Sequence, residues 1–147
     1  MRVTVLNGPN LNLLGSREPD LYGRLTLAQI ETLVAARAVE LAAVLAWRQT
    51  NHEGELVEWI QALPDSADGA LVNAAGLTHT SVVVRDALLA VRVPFVEVHL
   101  TNIFARDPVR RHSLLADLAV GVVAGFGARS YVLGLDALVA HLRAGAS

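Results

Sequence analysis

Short apolar runs alternate along this chain with longer stretches whose apolar residues recur at helical spacing. Residues 2–6 read as a strand, closed by Asn7-Gly8-Pro9. A polar stretch continues to about Leu25. Thr26 followed by Gln29 is a capping box, and Leu27, Ile30, Leu33, Val34 and Leu41 then mark one face of a helix. Strands are predicted at residues 44–49, 69–73, 95–100 and 120–126. Between them, residues 53–63 present Leu56, Val57, Ile60 and Leu63 on one helical face, stopped by Pro64. Helices are also predicted at 80–91, 109–118 and 130–143.

Five strands alternating with five helices imply an α/β fold with a parallel sheet covered on both faces. A chain of 147 residues suits one domain spanning residues 1–147, and a flavodoxin-like, doubly wound strand order is expected for it. Two connections are long, about residues 7–25 and 101–108. Long connections in a small domain are often lids or binding loops.

The formal charge of −2 gives no electrostatic reason to expect nucleic acid or an anionic membrane surface. No apolar run reaches the roughly 18 residues of a spanning helix, because Arg37 and Glu40 interrupt the most apolar stretch. The first residues lead directly into a strand pattern rather than a signal peptide, so a cytoplasmic protein is expected. With no cysteine, disulfides and thiolate chemistry are excluded. All twelve basic residues are arginines, so a lysine Schiff base is excluded too. The five histidines lack the spacing of a helical zinc pair, and no phosphate-binding glycine loop follows a strand; Gly121 to Gly127 falls inside a strand pattern and suggests close packing.

Ligands of open α/β sheets bind beyond the carboxyl ends of the strands. Those ends carry Asn7, Asn10 and Asn12; then Asn73, Thr78 and His79; then Glu97, His99, Thr101 and Asn102. Arg17, Arg106 and Arg110 flank them. Neutral hydrogen-bonding groups edged by cations suit a small, polyhydroxylated anion better than a flat aromatic cofactor. Each group also has a plainer reading. Asn7-Gly8-Pro9 forms a turn, Asn73 can cap a helix, and Arg110-Arg111 can be a solvated face. Glu97 and His99 share one face of a strand, as a buried hydrogen bond or as a carboxylate orienting an acid–base imidazole.

Three ordered blocks resemble the type II dehydroquinase family. They are Asn7-Gly8-Pro9-Asn10-Leu11-Asn12-Leu13-Leu14-Gly15 with Arg17-Glu18-Pro19 and Tyr22-Gly23; Asn73-Ala74-Ala75-Gly76-Leu77-Thr78-His79-Thr80-Ser81 with Arg85-Asp86; and Glu97-Val98-His99-Leu100-Thr101-Asn102 through Arg106 to Arg110-Arg111-His112-Ser113. The resemblance runs almost end to end. It implies a flavodoxin-like subunit, a homododecamer built as a tetramer of trimers, and cofactor-free, metal-free dehydration of 3-dehydroquinate to 3-dehydroshikimate. That step serves the shikimate pathway of aromatic amino acid biosynthesis, or quinate breakdown.

The resemblance makes Tyr22 the base that removes a proton beside the ketone. Arg17, on the same loop, would favour the phenolate this role needs. Asn12 would hold a water against the developing enolate oxygen. His99 would protonate the departing hydroxyl, with Glu97 orienting it. Leu100 and Thr101 would bind the substrate carboxylate, and Asn73, His79 and Arg110 the ring hydroxyls. Asp86 would reach into a neighbouring subunit's site, and Arg106 occupies a loop position without a firm role. The chain departs from the family pattern at Ala74-Ala75-Gly76-Leu77, Thr101, Phe104 and Asp107-Pro108, none of which removes a catalytic group. Two rival readings are a binding module that has lost turnover and a flavin or nucleotide carrier. The first predicts a missing Tyr, Arg or His; the second, a phosphate loop after the first strand.

Overall fold

The computed structural model of the chain describes residues 1–16 and 18–146. Its strands are β1 (Arg2–Asn7), β2 (Val44–Gln49), β3 (Gly69–Asn73), β4 (Phe95–His99) and β5 (Gly121–Ala124). All pair in parallel, in the order β2-β1-β3-β4-β5, which is the flavodoxin-like order. The order reverses between β1 and β3, where Asn7 and Asn73 are register partners at the carboxyl ends. Helices on opposite faces leave those ends diverging, so a crevice opens there.

The helices are α1 (Pro19–Tyr22), α2 (Leu27–Glu40), α3 (Glu53–Gln61), α4 (Leu63–Ser66), α5 (Leu77–Thr80), α6 (Val82–Val91) and α7 (Arg129–Ala146). Side chains alternate across each strand. Val3, Val5, Leu71, Val96 and Val98 therefore meet Ile30 and Val34 of α2 and Leu135 and Leu138 of α7. Leu6, Ala70, Val72 and Phe95 point oppositely, to Leu56 and Ile60 of α3 and Val84 and Leu88 of α6. None of the described helices is long and apolar enough to cross a membrane.

Several boundaries follow local chemistry. The capping box forms at α2: the Gln29 N–H donates to Thr26 Oγ1 at 3.2 Å, and the Thr26 N–H to Gln29 Oε1 at 2.9 Å. Pro64 does not simply stop the preceding helix; it enters the first turn of α4, where no N–H is required of it. The helix expected at 80–91 begins at Val82, because the Ser81 hydroxyl caps it by accepting the Val84 N–H at 3.0 Å. Strand β5 is shorter than the predicted 120–126. Gly125 and Gly127 lie beyond it with φ of +99° and +60°, forming a turn rather than strand packing.

The helix predicted at 109–118 does not form, so the β4–β5 crossover lacks one. The crossover carries two 3₁₀ turns instead, Ile103–Ala105 and Pro108–Arg110. The segment spends its backbone groups elsewhere: the Leu114 N–H donates to Thr78 O at 2.9 Å, and Arg85 Nη1 donates to Leu114 O at 2.8 Å. Periodicity does not reveal such outside partners. Gly8, directly after β1, is required by a close approach. A Cβ there would stand 2.4 Å from the backbone oxygen of Ala74, where the first and third strands' loops cross.

Candidate active site

Beyond the carboxyl ends of β1, β3 and β4 lies a cleft lined by Asn10 and Leu14, Tyr22, Asn73, His79, His99, Leu100, Thr101, Arg106 and Arg110. The first loop contributes through a 3₁₀ turn, Leu11–Leu13, and through α1, whose last residue is Tyr22. Asn10, Glu18 and Ala75 all have positive φ, at 70°, 42° and 53°. Left-handed backbone at non-glycine residues is strained, and here it shapes the turns around the cleft.

Glu97 and His99 project to the same side of β4. Glu97 is completely buried, and His99 nearly so. His99 Nε2 lies 2.6 Å from Glu97 Oε2, while Ser113 Oγ donates to Glu97 Oε1 at 2.6 Å. With Nε2 held by Glu97, Nδ1 is the ring nitrogen left for other partners. A buried carboxylate is costly without such donors, and the pairing satisfies both oxygens. This is the arrangement of an imidazole held in one orientation for proton transfer.

His79 stacks against His99, with ring centroids 6.4 Å apart. It is clamped by a reciprocal pair of bonds. His79 Nδ1 donates to His112 O at 2.6 Å, and His112 Nε2 donates to His79 O at 3.1 Å. Burial pushes the His79 pKa below its ordinary value, and the bond to His112 O only partly offsets this. His79 is therefore neutral at neutral pH, with Nε2 bearing a lone pair. Neither His112 nor Ser113 carried a role in the sequence reading, because both act through partners far along the chain.

Two cations stand near Tyr22. The Arg106 guanidinium lies over its ring, 5.2 Å from the centroid. Arg110 lines the same cleft and is anchored by Asp107, whose two oxygens accept from Arg110 Nη1 at 2.8 and 2.7 Å. Arg17 lies outside the described residues. Asn12 is not among the residues lining the cleft. It is exposed, and its Oδ1 faces Gln49 Nε2 at 3.5 Å, the long limit of a hydrogen bond. Asp86 is exposed on α6 and also stands off the cleft of its own chain.

Beneath the cleft runs a buried chain that the sequence did not announce. The Asn73 Nδ2 donates to Tyr131 Oη at 2.9 Å, and Tyr131 donates to Asn7 Oδ1 at 2.7 Å. Asn7 Nδ2 then donates to Arg48 O at 3.0 Å, and the Ala75 N–H donates to Asn73 Oδ1 at 3.2 Å. Burial drives the Tyr131 pKa well up, so the phenol remains a neutral donor. Tyr131 thus ties α7 to both strands of the crevice and orients Asn73. Tyr131→Phe removes the shared hydroxyl and leaves two buried amides short of a partner. It is expected to lower stability by about 1–3 kcal/mol in urea unfolding; an unchanged midpoint and slope would count against the role.

The fold and this cleft define a flavodoxin-like α/β protein with a histidine–carboxylate pair and a tyrosine facing a common space. The sequence pattern described as "Dehydroquinase class II" matches residues 1–139, and the chain belongs to that family. It is 57% identical over 143 residues to the 3-dehydroquinate dehydratase of Synechococcus sp. (strain WH7803), covering 97% of each chain. It is 55% identical over 141 residues to that of Bordetella pertussis, covering 95% of this chain and 98% of the other. Among solved structures, the type II dehydroquinase from Butyrivibrio crossotus superposes with a TM-score of 0.91 at 32% identity, over 94% of this chain and 97% of that one.

Proposed function

We propose that this chain is a type II 3-dehydroquinate dehydratase, a hydro-lyase that converts 3-dehydroquinate to 3-dehydroshikimate through an enolate. The observation that carries the reading is the convergence of Tyr22 and a Glu97-bound His99 on one cleft. Tyr22, as phenolate, takes the proton from the carbon beside the ketone. The electron pair moves to the ketone oxygen, and cations help to hold the charge. Arg106 and Arg110 are the described cations nearest this step, and Arg17 joins them in the proposal. Asn12, whose Oδ1 faces Gln49 Nε2 at 3.5 Å, is assigned to place a water on the enolate oxygen. The Glu97-held imidazolium of His99 gives its Nδ1 proton to the hydroxyl expelled as the enolate collapses, which leaves the neutral ring with Nε2–H on Glu97.

Substrate binding divides along the cleft. Leu100 and Thr101 take the carboxylate; Asn73, His79 and Arg110 take the ring hydroxyls. Asp86 is assigned to a neighbouring subunit's cleft, and its exposure away from its own is consistent with that. Val82, Val83 and Leu89, exposed on the same helix, favour an assembly. The proposed assembly is a homododecamer, a tetramer of trimers, in the cytoplasm, with residues 1–147 acting as one catalytic domain. A solution mass far below twelve chains of 15.6 kDa would remove that part.

The test of the function is ultraviolet absorbance on mixing purified protein with 3-dehydroquinate. The product contains a conjugated enone that the substrate lacks, so absorbance is expected to rise, and to rise equally after exhaustive chelation. No rise despite intact binding would leave a binding module. A strict metal requirement would overturn the acid–base account.

A further inference from the structure

Ser113 stands at the far end of the Glu97–His99 pair, and its hydrogen bonds have a direction. Its hydroxyl oxygen accepts the N–H of Leu115 at 3.0 Å and the N–H of Ala116 at 3.1 Å. A hydroxyl has two acceptor positions and one proton. With both acceptor positions filled, the proton has one destination, Glu97 Oε1, 2.6 Å away. Glu97 Oε1 is therefore an acceptor. Its other oxygen receives His99 Nε2, so both oxygens of a fully buried carboxyl group accept, as an ionised carboxylate does.

We propose that Ser113 is a positioning residue for the acid step: it keeps Glu97 a carboxylate, and through Glu97 keeps the His99 ring with Nε2–H bound and Nδ1 available to the cleft. This deepens the assignment of His99 as proton donor and rests on it. Were Glu97 to become a carboxylic acid, its own O–H would donate to His99 Nε2. A neutral ring would then have to carry its proton on Nδ1, and Glu97 would no longer stabilise the imidazolium. The same two backbone bonds help explain why residues 109–118 form no helix. The N–H groups of Leu115 and Ala116 are turned to the Ser113 hydroxyl instead of to preceding carbonyls.

The test compares wild type with Ser113→Ala, Ser113→Cys and Ser113→Thr. In Ser113→Ala, kcat for 3-dehydroquinate is expected to fall about ten- to a hundredfold, the scale of one lost bond to a charged group. KM should stay within about twofold, because Ser113 does not line the cleft. The acid limb of the kcat profile should also change, because the carboxylate beside the acid has lost one of its two donors. Ser113→Thr keeps a hydroxyl and should restore both kcat and the limb. Ser113→Cys, a weak donor of similar size, should fall between and serves if the alanine variant does not fold. Nitrogen-15 spectra of the His99 ring in the unliganded protein supply a readout independent of turnover. Wild type should show Nε2 protonated and Nδ1 bare in the neutral ring, and the Ala or Cys variant should lose that single tautomer. Loss of thermal stability with an unchanged pH profile and an unchanged tautomer would overturn the inference. If wild type lacks turnover, the proposed elimination fails, and the His99 spectra alone decide the role of Ser113.

Discussion

Replacing Tyr22 with phenylalanine is expected to lower kcat for 3-dehydroquinate by about 10²–10⁴-fold while substrate still binds. General-base catalysis contributes roughly 10²–10⁴ in rate. Tyr22 is the described phenol at the cleft, because Tyr131 is buried beneath it and held neutral. The substitution removes one oxygen and keeps the ring that packs under Arg106. The loss should therefore appear in kcat, with KM changing little. Steady-state kinetics together with calorimetric titration of substrate separate the two quantities. Near-normal turnover would remove Tyr22 as the base. Loss of binding in proportion to loss of rate would mean that the ring seats the substrate rather than taking its proton.

The second large effect concerns His99. His99→Gln is expected to reduce kcat by about 10²–10⁴-fold, the contribution of a general acid. Glutamine is the informative replacement, because its amide N–H can still donate to Glu97. Alanine would instead strand a buried carboxylate, and removing one partner of a buried charged pair costs about 3–5 kcal/mol by itself. With glutamine, the melting temperature should change far less than the rate. A variant that turns over at the wild-type rate would remove His99 as the acid. A variant that merely unfolds would show that the pair serves the core more than the chemistry.

Much of the site was legible because its residues come in contiguous blocks placed directly after strands. Glu97 and His99 sit two apart on β4, and strand geometry alone puts them on one side of the sheet. Asn73 ends β3, His79 falls in the short helix after it, and Tyr22 lies on the long first loop. Their roles came from resemblance; their convergence came from the topology. The partners that hold them were not legible. Ser113 is 16 residues from Glu97, His112 is 33 from His79, and Tyr131 is 124 from Asn7. No spacing rule links residues so far apart.

The sequence by itself determined the elements whose causes are local. The strands follow from short apolar runs, α2 from its capping box, and the parallel sheet from the alternation of strand and helix. Only the tertiary structure decided where local preference and long-range satisfaction disagree. Residues 109–118 have helical periodicity, yet Thr78, Arg85 and the Ser113 side chain take up their backbone groups. Tertiary packing likewise brought Tyr131 of the last helix under the first and third strands, where burial makes its single hydroxyl a bridge between two amides. The physical reason is common to both cases. A buried polar group must be paired, and which partner it finds depends on what the fold places within about 3 Å, not on its neighbours in sequence.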